Sequence, residues 1–285
     1  MNIDYFDNQF VSSENVSYPS SDLGLQRGFG VFETMRAEGG VIFQADLHLD
    51  RLRNSARLIS LPYPWEDGEL RTIWHEGLTR NHLDQAGIKV IITGGSSNFL
   101  AQQEPPRLLI QFRELHGHPE ELYLKGAGLR TSHLVRELPA VKSLNYLSSV
   151  IAWRAAQAEG DHEGLFIGPD DEVRECTTAN VFFVHDQVVS TPSAHILAGT
   201  TRQLVLRLAE TAGLRVEVRT VPLTEAVRAD EVFITSVNRR IMPAVSIDGQ
   251  TIGAGTIGPI TKQLTTAFRA YEVDYFSQHQ KGMFR

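Results

Sequence analysis

The sequence predicts a mixed α/β protein built from a small N-terminal α+β domain and a larger C-terminal domain. The chain has 285 residues, which is enough for one large domain or two modest ones. Segments with strand-like and helix-like periodicity alternate in both halves. A polar stretch that carries Gly and Pro, ELHGHPEE at residues 114–121, separates the halves as a linker does. We therefore assign the first domain to residues 1–115, a linker to 116–121 and the second domain to 122–285.

The first domain should contain a hairpin, two helices and two further strands. Residues 28–45 predict two strands around a turn at Glu38, Gly39 and Gly40. The apolar residues that follow have helical spacing as far as Pro62, which predicts a helix over 48–61. The remaining elements expected in this domain are a helix around 66–83 and strands at 88–93 and 107–112.

The second domain should be built on a mixed sheet with helices around it. The sequence predicts helices near 144–158, 201–213 and 258–271. Short β-branched and aromatic runs predict strands at 164–168, 181–185, 187–190, 215–219 and 231–235.

Composition and charge exclude several classes of function. The balance of 34 Asp and Glu against 27 Lys and Arg gives a net charge of −7, so there is no electrostatic reason to bind nucleic acid or an anionic membrane. No apolar run approaches the ~18 residues that span a bilayer, and the N-terminus, MNIDYFDNQF, does not read as a signal peptide. The single cysteine, Cys176, excludes an intrachain disulfide and fits a reducing compartment. We expect a cytoplasmic protein.

Lys142 is the first candidate for chemistry. It stands before the helix predicted at 144–158, whose apolar face includes Leu147, Val150 and Ile151. A lysine amine in a partly apolar cleft loses some preference for its charged form, and it then serves as a nucleophile toward an aldehyde and as a base. On spacing alone, a surface lysine at a helix N-terminus is the favoured interpretation.

Glu175 is the second candidate. It lies in RECTTAN, where a strand breaks into a short loop and then resumes. A carboxylate at this point suits a protonated ring nitrogen. Taken alone, an exposed glutamate at a strand end is again the favoured interpretation.

Two further segments could bind an anion. Gly199 supplies a turn and the helix begins near Thr201, so backbone N–H groups and the helix dipole are available beside the hydroxyls of Thr200 and Thr201. An ordinary capped helix explains this pattern equally well. The strand EVFITS runs into a turn that starts at Ser236, and the hydroxyl and N–H groups of that turn suit a phosphate.

In their order and spacing these segments resemble the fold-type IV, or class IV, pyridoxal 5′-phosphate (PLP) enzymes. That family includes D-amino-acid transaminases, branched-chain aminotransferases and aminodeoxychorismate lyases. GVFET is similar to its first active-site strand, HLDRL to its phosphate-arginine helix, KSLNYL to its lysine segment and RECTTAN to its Glu-Gly-x-x-x-Asn stretch. ILAGTTR and EVFITSVNRRIMP are similar to its second and third phosphate loops, so the match spans nearly the whole chain.

Cys176 departs from this pattern, because the family usually has glycine there. If the backbone at this position required a positive φ, Cys176 would be strained.

The resemblance implies PLP as the cofactor, no metal, and Lys142 as the catalytic residue through a Schiff base. It also implies a two-domain fold with a mixed, barrel-like sheet in the large domain, and at least a homodimer. The cofactor-binding residues it implies are Arg51, Lys142, Tyr146, Glu175, Thr200, Thr201, Ser236 and Val237.

The residues that would select the substrate are less typical of the family. The loop GGSSNFLAQQEPP, residues 94–106, lacks the Arg-x-His pair of the best-known D-amino-acid transaminases, and Phe32 stands where those enzymes have tyrosine. Arginine side chains suit a substrate carboxylate, although a solvated turn explains Arg239 and Arg240 equally well. The substrate-binding residues expected are Arg27, Phe32, Thr178, Asn238, Arg239 and Arg240.

The first expectation for function is a transaminase that moves an amino group between an amino acid, including a D-amino acid, and a 2-oxo acid. The alternatives are a branched-chain L-amino-acid aminotransferase, an aminodeoxychorismate lyase that eliminates pyruvate, and a cofactor-free binding protein of the same fold. Glu33 argues against the lyase, because relatives of that kind often have threonine near this position. The joint presence of Lys142, Glu175 and Arg51 argues against the binding protein.

Overall fold

The computed structural model describes residues 2–100 and 104–283, and it divides into two compact units. Residues 101–103 of the loop at 94–106 lie outside the described residues. Unit 1 comprises Met1–His116, Val141–Asn145 and Asp274–Arg285. Unit 2 comprises Gly117–Ala140 and Tyr146–Val273. The short stretch that contains Lys142 therefore belongs to the same unit as the N-terminal strands.

Unit 1 is an antiparallel sheet with helices packed against it. Its elements are β1 (Ile3–Phe6), β2 (Gln9–Ser12), α1 (Leu23–Arg27), β3 (Gly30–Glu38), β4 (Val41–Ile42), α2 (Ala45–Leu58), α3 (Asp67–Arg80), β5 (Gln85–Thr93) and β6 (Arg107–Glu114). The strand order is β2-β1-β6-β5-β3-β4. Apolar side chains alternate along β5, and its buried set joins those of α2 and α3 in one core.

The hairpin predicted at residues 28–45 is confirmed. Glu38 pairs with Val41, which leaves Gly39 and Gly40 as a two-residue connection. Both glycines have positive φ, 55° and 79°, as the turn that fits twisted hairpin strands requires. On its other side β3 pairs with β5 along all nine residues, which fixes the strand over its whole length.

Unit 2 is a ten-stranded mixed sheet with helices. Its elements are α4 (Glu120–Lys125), β7 (Ala127–Ser132), α5 (Leu147–Ala158), β8 (Glu163–Ile167), β9 (Glu172–Cys176), β10 (Asn180–His185), β11 (Val188–Pro192), α6 (Thr200–Thr211), β12 (Arg215–Arg219), β13 (Val221–Pro222), α7 (Leu223–Ala226), β14 (Glu231–Ser236), β15 (Arg240–Ile247), β16 (Gln250–Thr251) and α8 (Pro259–Met283), whose last turns belong to unit 1.

The sheet of unit 2 curls toward closure. Its strand order is β12-β11-β10-β14-β15-β7-β8-β9-β13, with β16 paired to β15. Strand β9, near one end of this order, also contacts β10 and β11 near the other end. The predicted mixed, barrel-like sheet is confirmed.

The predicted helices and strands are present with shifted ends, and several short strands were not predicted. The last helix runs to Met283, well beyond the predicted end at residue 271. Strands β1, β2, β7, β13, β15 and β16 were missed; β1 and β2 are only four residues long, and β13 and β16 only two. Among the described residues, no helix is both long and apolar enough to cross a membrane.

The predicted apolar face of α5 is wrong. Leu147, Val150 and Ile151 are exposed, whereas the buried residues of this helix are Ser149, Ala152 and Ala156. The small side chains let the helix approach β8 closely: a Cβ added to Gly164 would lie 3.2 Å from the backbone of Ala152. Close packing of small residues, and not a large apolar stripe, holds this helix to the sheet.

Candidate active site

Lys142 is held beside β3 by backbone hydrogen bonds. Phe32 N–H donates to the carbonyl of Lys142 at 2.9 Å, and Leu144 N–H donates to the carbonyl of Gly30 at 3.0 Å. The Lys142 N–H donates to Ser55 Oγ of α2 at 3.1 Å. Lys142 is therefore not at the start of a helix, since α5 begins only at Leu147; it lies on a short extended segment that unit 1 fixes from two sides.

The amine of Lys142 lies over an aromatic ring. Its Nζ is 4.4 Å from the ring centroid of Phe32, and the Nζ of Lys89 is 5.3 Å from the same centroid. Such cation–π contacts hold an ammonium over the face of a ring. The structure therefore brings two of the predicted site residues, Lys142 and Phe32, together.

Arg51 pairs with Glu33 in unit 1. Arg51 Nε donates to Glu33 Oε2 at 2.8 Å and Nη2 donates to Oε1 at 2.7 Å, which is a bidentate contact. Glu33 is fully buried and also accepts from Thr34 N–H at 2.8 Å. His48 Nδ1 lies 3.4 Å from Glu33 Oε1. The guanidinium of Arg51 is thereby held in one orientation.

Glu33 and His48 have shifted pKa values. Burial by itself would raise the pKa of Glu33, but the adjacent guanidinium of Arg51 and the neighbouring His48 bring it well below its usual range. Burial lowers the pKa of His48; the charge and hydrogen bond of Glu33 oppose this, and the nearby charges of Arg51 and Lys142 add to the lowering. Glu33 is therefore a carboxylate at neutral pH, and His48 is neutral.

Glu175 is a buried carboxylate held at both oxygens in unit 2. Its Oε1 accepts from Arg136 Nη1 at 2.7 Å, and its Oε2 accepts from Leu197 N–H at 2.9 Å. Asn180 Nδ2 lies 3.5 Å from the same Oε2 and donates to the carbonyl of Leu197 at 2.8 Å. The strand break predicted after Glu175 is confirmed, because β9 ends at Cys176 and β10 begins at Asn180.

Cys176 is not strained. It lies in β9 and is not among the residues with positive φ. Burial raises the pKa of its thiol, so this cysteine is a packed core residue.

Helix α6 begins at Thr200 with Gly199 as its N-cap, and no side chain caps the first N–H groups of the helix. Thr200 and Thr201 are both buried. Gly199 has φ −66°, so its role is not the flexible turn expected from the sequence. Instead, an added Cβ would lie 2.1 Å from Asn180 Oδ1, so the glycine allows the helix start to approach β10.

The turn between β14 and β15 contains Ser236, Val237, Asn238 and Arg239. Ser236 Oγ accepts from Arg239 N–H at 3.3 Å. Asn238 is exposed. The Arg239 side chain is largely buried and donates from Nη1 to Thr178 Oγ1 at 2.6 Å.

Arg239 is anchored by a carboxylate that the sequence did not single out. Its Nη2 lies 2.7 Å from Oε2 of Glu163, which is fully buried at the start of β8. Thr178 Oγ1 donates to Glu163 Oε2 at 2.7 Å, and Thr177 Oγ1 donates to Oε1. The sequence allowed Arg239 to lie in a solvated turn, but its side chain is largely buried and paired with Glu163.

The other predicted substrate residues lie in different surroundings. The Nε of Arg240 donates to the carboxylate of Glu272 on α8 at 2.8 Å. Arg27 is exposed at the end of α1, where its Nη1 donates to the carbonyl of Gln26 at 3.0 Å. Tyr146, which was predicted to bind the cofactor, is the N-cap residue of α5, and burial raises the pKa of its hydroxyl.

Four residues that lie beside predicted site residues of their own unit were not predicted as site residues: Glu33 and His48 in unit 1, and Arg136 and Glu163 in unit 2. Each of the two glutamates lies in a mostly buried strand, FET in β3 and EGLF in β8. A charged residue within such a strand was the sequence feature that could have identified them. Nothing in the sequence distinguishes Arg136. Among the described residues, no group of three or more His, Cys, Asp or Glu side chains is arranged to hold a metal ion.

Comparison with known proteins identifies the family. Residues 30–247 match the amino-transferase class IV family. A Methanocaldococcus jannaschii protein provisionally named a branched-chain-amino-acid aminotransferase is 34% identical over 278 residues, 93% of this chain and 94% of the relative. A D-alanine aminotransferase from Bacillus licheniformis is 33% identical over 271 residues, 93% of this chain and 95% of the relative.

Solved structures agree with this match. The crystal structure of the Escherichia coli branched-chain amino acid aminotransferase superimposes with a TM-score of 0.88 at 26% identity, covering 94% of each chain. The chain therefore belongs to the class IV aminotransferases, a family of enzymes that use PLP. The predicted family, fold, enzyme class and cofactor are confirmed.

Proposed function

We propose that this protein is a transaminase that moves an amino group between an amino acid and a 2-oxo acid, with Lys142 as its catalytic residue. The observation that carries the proposal is the placement of the Lys142 amine over Phe32, on a segment fixed to β3. An amine on a fixed backbone is held in position for the reacting atom. Such positioning of a catalytic group accounts for much of the rate enhancement of an enzyme.

The donor set of the chain fits PLP. A phosphate takes arginine, hydroxyl and helix N-terminal N–H donors, and the chain offers Arg51, Thr200, Thr201, Ser236 and the N–H of Val237. The uncapped start of α6 is the feature that supports this fit most directly. A buried carboxylate suits a protonated ring nitrogen, and Glu175 supplies it. The Tyr146 hydroxyl suits the ring oxygen.

When bound, PLP supplies an aldehyde that takes up the amino group and a ring that accepts electrons. Lys142 Nζ moves the proton of the substrate Cα, since a lysine amine acts as a base once it is uncharged. Glu175 would pair with the protonated ring nitrogen, and Leu197 N–H and Arg136 hold its two oxygens in place. Glu33 holds Arg51 in orientation for a phosphate.

We further propose that Phe32, Thr178, Asn238, Arg239 and Arg27 contact the substrate, with Arg239 the arginine presented most rigidly. Its guanidinium is fixed by Glu163 and Thr178, which suits a planar carboxylate. Arg240 is also paired, with Glu272, but its side chain is 37% exposed against 12% for Arg239, which makes it the weaker candidate of the two adjacent arginines.

Replacing Lys142 tests the catalytic assignment. We expect Lys142→Ala to lose the visible absorbance that PLP gains on an enzyme lysine, and to lose turnover by at least ~10³-fold, because the variant removes the proposed base. Lys89→Ala is the matched control, since Lys89 also lies over Phe32. It should keep both the absorbance and the turnover. An unchanged spectrum in Lys142→Ala would overturn the assignment.

The amino donor is tested by the half-reaction. We propose a D-amino acid as the donor, supported by the D-alanine aminotransferase among the relatives. D-alanine or D-glutamate should then convert bound PLP to its pyridoxamine form, seen as a loss of visible absorbance. Conversion by L-leucine alone would favour the branched-chain alternative. Release of pyruvate from aminodeoxychorismate would favour the lyase.

We also propose that the protein is a homodimer whose interface includes the outer face of α5. Four large apolar side chains of this helix are exposed, namely Leu147 (68%), Val150 (45%), Ile151 (49%) and Trp153 (41%). Leu134, Val135 and Leu138, which precede the helix in sequence, are exposed as well. Large apolar side chains exposed in such number often mark a protein interface.

A further inference from the structure

Arg136 and Glu175 form a buried ion pair whose charge has an effect beyond holding the carboxylate in place. Their side chains are 7% and 6% exposed, and Arg136 Nη1 lies 2.7 Å from Glu175 Oε1. The two residues are 39 positions apart in sequence. Arg136 also donates to the carbonyl of Pro139 at 3.2 Å, so its guanidinium is tied to its own loop. The charge of Arg136 is therefore fixed at one oxygen of the carboxylate.

Burying two charges is costly, and a pair of this kind adds little stability compared with an apolar pair of the same size. Leu197 N–H already satisfies the other oxygen of Glu175, at 2.9 Å. The pair therefore needs an explanation other than stability. A fixed cation beside a carboxylate has one certain effect, which is to weaken the attraction of that carboxylate for a further proton or cation.

We propose that Arg136 is a positioning residue for Glu175, which fixes the direction of the carboxylate and weakens it as a partner for the PLP ring nitrogen. This inference rests on the proposed role of Glu175. Removing a positive charge near a protonated group makes the proton harder to lose, so the neutral variant Arg136→Gln should hold the ring proton to a higher pH. The expected shift is about one pH unit or more, the effect of an adjacent charge.

Other charged and titratable groups of unit 2 interact electrostatically with Glu175 or with its neighbours, and these residues must stay unchanged in the test. The pKa values of Arg202 in α6, of Cys176 and of Tyr146 all respond to the charge of Glu175. Glu163 and Arg239 act on both Tyr146 and Cys176 with opposite signs. Arg136 Nη1, 2.7 Å from Glu175 Oε1, is the charged group that the test removes.

The experiment is a pH titration of the holoenzyme loaded with PLP labelled with ¹⁵N in the ring, followed by the ¹⁵N chemical shift. In Arg136→Gln the midpoint of the ¹⁵N titration should lie about one pH unit or more above the midpoint of the wild type. Arg136→Lys keeps the charge and should titrate within about half a unit of the wild type. If Arg136→Gln does not fold, Arg136→Met removes the same charge while keeping an apolar side chain, and it should show the same upward shift.

Arg174→Gln is the matched control. Arg174 lies next to Glu175 in β9 and pairs with Glu172 at 3.0 Å, so this variant also removes one paired arginine charge. It should titrate as the wild type does. A neutral Arg136 variant that titrates with the wild type would overturn the proposal. Glu175→Gln distinguishes failure of the Arg136 proposal from failure of the proposed role of Glu175. If Glu175→Gln leaves the wild-type ¹⁵N titration unchanged, the role of Glu175 itself is wrong.

Discussion

At the scale of single residues, charges inside the protein have specific partners. Glu33 is fully buried in β3, yet Arg51 and Thr34 N–H satisfy both its oxygens. Glu163 is fully buried at the start of β8 and is satisfied by Arg239 and two threonines. Since an unpaired buried charge would cost several kcal/mol, these carboxylates can be tested by removing one charge at a time.

We expect Glu33→Gln to lower the free energy of unfolding by about 3 kcal/mol, because it leaves the Arg51 guanidinium largely buried without its bidentate partner. Urea unfolding at neutral pH measures this. Asp46→Asn, on the helix that carries Arg51, is the matched control, since the Asp46–Arg71 pair is exposed and should be worth less than about 1 kcal/mol. Equal effects of the two variants would contradict the buried pair.

The same variant should change the acid sensitivity of the fold. The pKa of Glu33 is lowered in the folded protein, so its stabilisation is complete above the pKa of the unfolded chain, about 4.3, and is lost as the pH falls below it. Between pH 5 and pH 3 the wild type should therefore lose more stability than Glu33→Gln does. Thermal unfolding across this range measures the difference, and parallel curves would argue against the shift.

The sequence could predict only those candidate site residues that lie within recognisable short segments. Lys142, Arg51 and Glu175 were singled out because the residues around them form recognisable segments. Arg136 and Glu163 were not, because an ion pair between residues 39 positions apart, or a buried pair across the sheet, depends on strand order. Strand order is a property of the whole chain and leaves no mark on a short segment.

At the scale of elements, close packing determines which face of helix α5 is buried, and sequence periodicity does not. The sequence of α5 suggests a buried face of large apolar residues, yet the helix is buried through Ser149, Ala152 and Ala156. Periodicity identified the helix correctly because the spacing is helical on both faces. It could not choose the face, because that choice depends on Gly164 of β8 and the distance at which the helix approaches the strand.

Helix α3 offers a direct test of such packing. A Cβ on Gly77 would lie 2.0 Å from the ring of Phe112, a fully buried residue of β6. Alanine favours a helix over glycine by up to about 1 kcal/mol, but overpacking of a core costs about 1–3 kcal/mol. We therefore expect Gly77→Ala to destabilise the protein in a urea titration.

Gly68→Ala is the control within the same helix. An added Cβ at Gly68 meets nothing within 4 Å, so the variant should be neutral or stabilised by up to about 1 kcal/mol. If Gly77→Ala were stabilised to the same extent, the contact between α3 and Phe112 would not limit that position.

At the scale of the whole molecule, neither compact unit is one continuous stretch of sequence. Residues Val141–Asn145 join unit 1 because they hydrogen-bond to β3. A division by composition assigns consecutive residues to each domain and therefore has no means of detecting a returning segment. The consequence for function is that the backbone of Lys142 is held by strand β3 and helix α2, both far earlier in the sequence.

The exposed face of α5 leads to the last prediction, on the number of chains in the assembly. Burying an exposed Leu or Ile side chain contributes about 1.5–3 kcal/mol, and a charge placed there would have to be desolvated without a partner. We therefore expect Ile151→Glu to shift the protein from dimer toward monomer, measured by light scattering after size-exclusion chromatography. Val218→Glu is the control, because Val218 is also half exposed but lies in β12 between charged residues. The control should stay dimeric. A wild-type protein that is monomeric at micromolar concentration, or an Ile151→Glu variant that remains fully dimeric, would show that this face is not the interface.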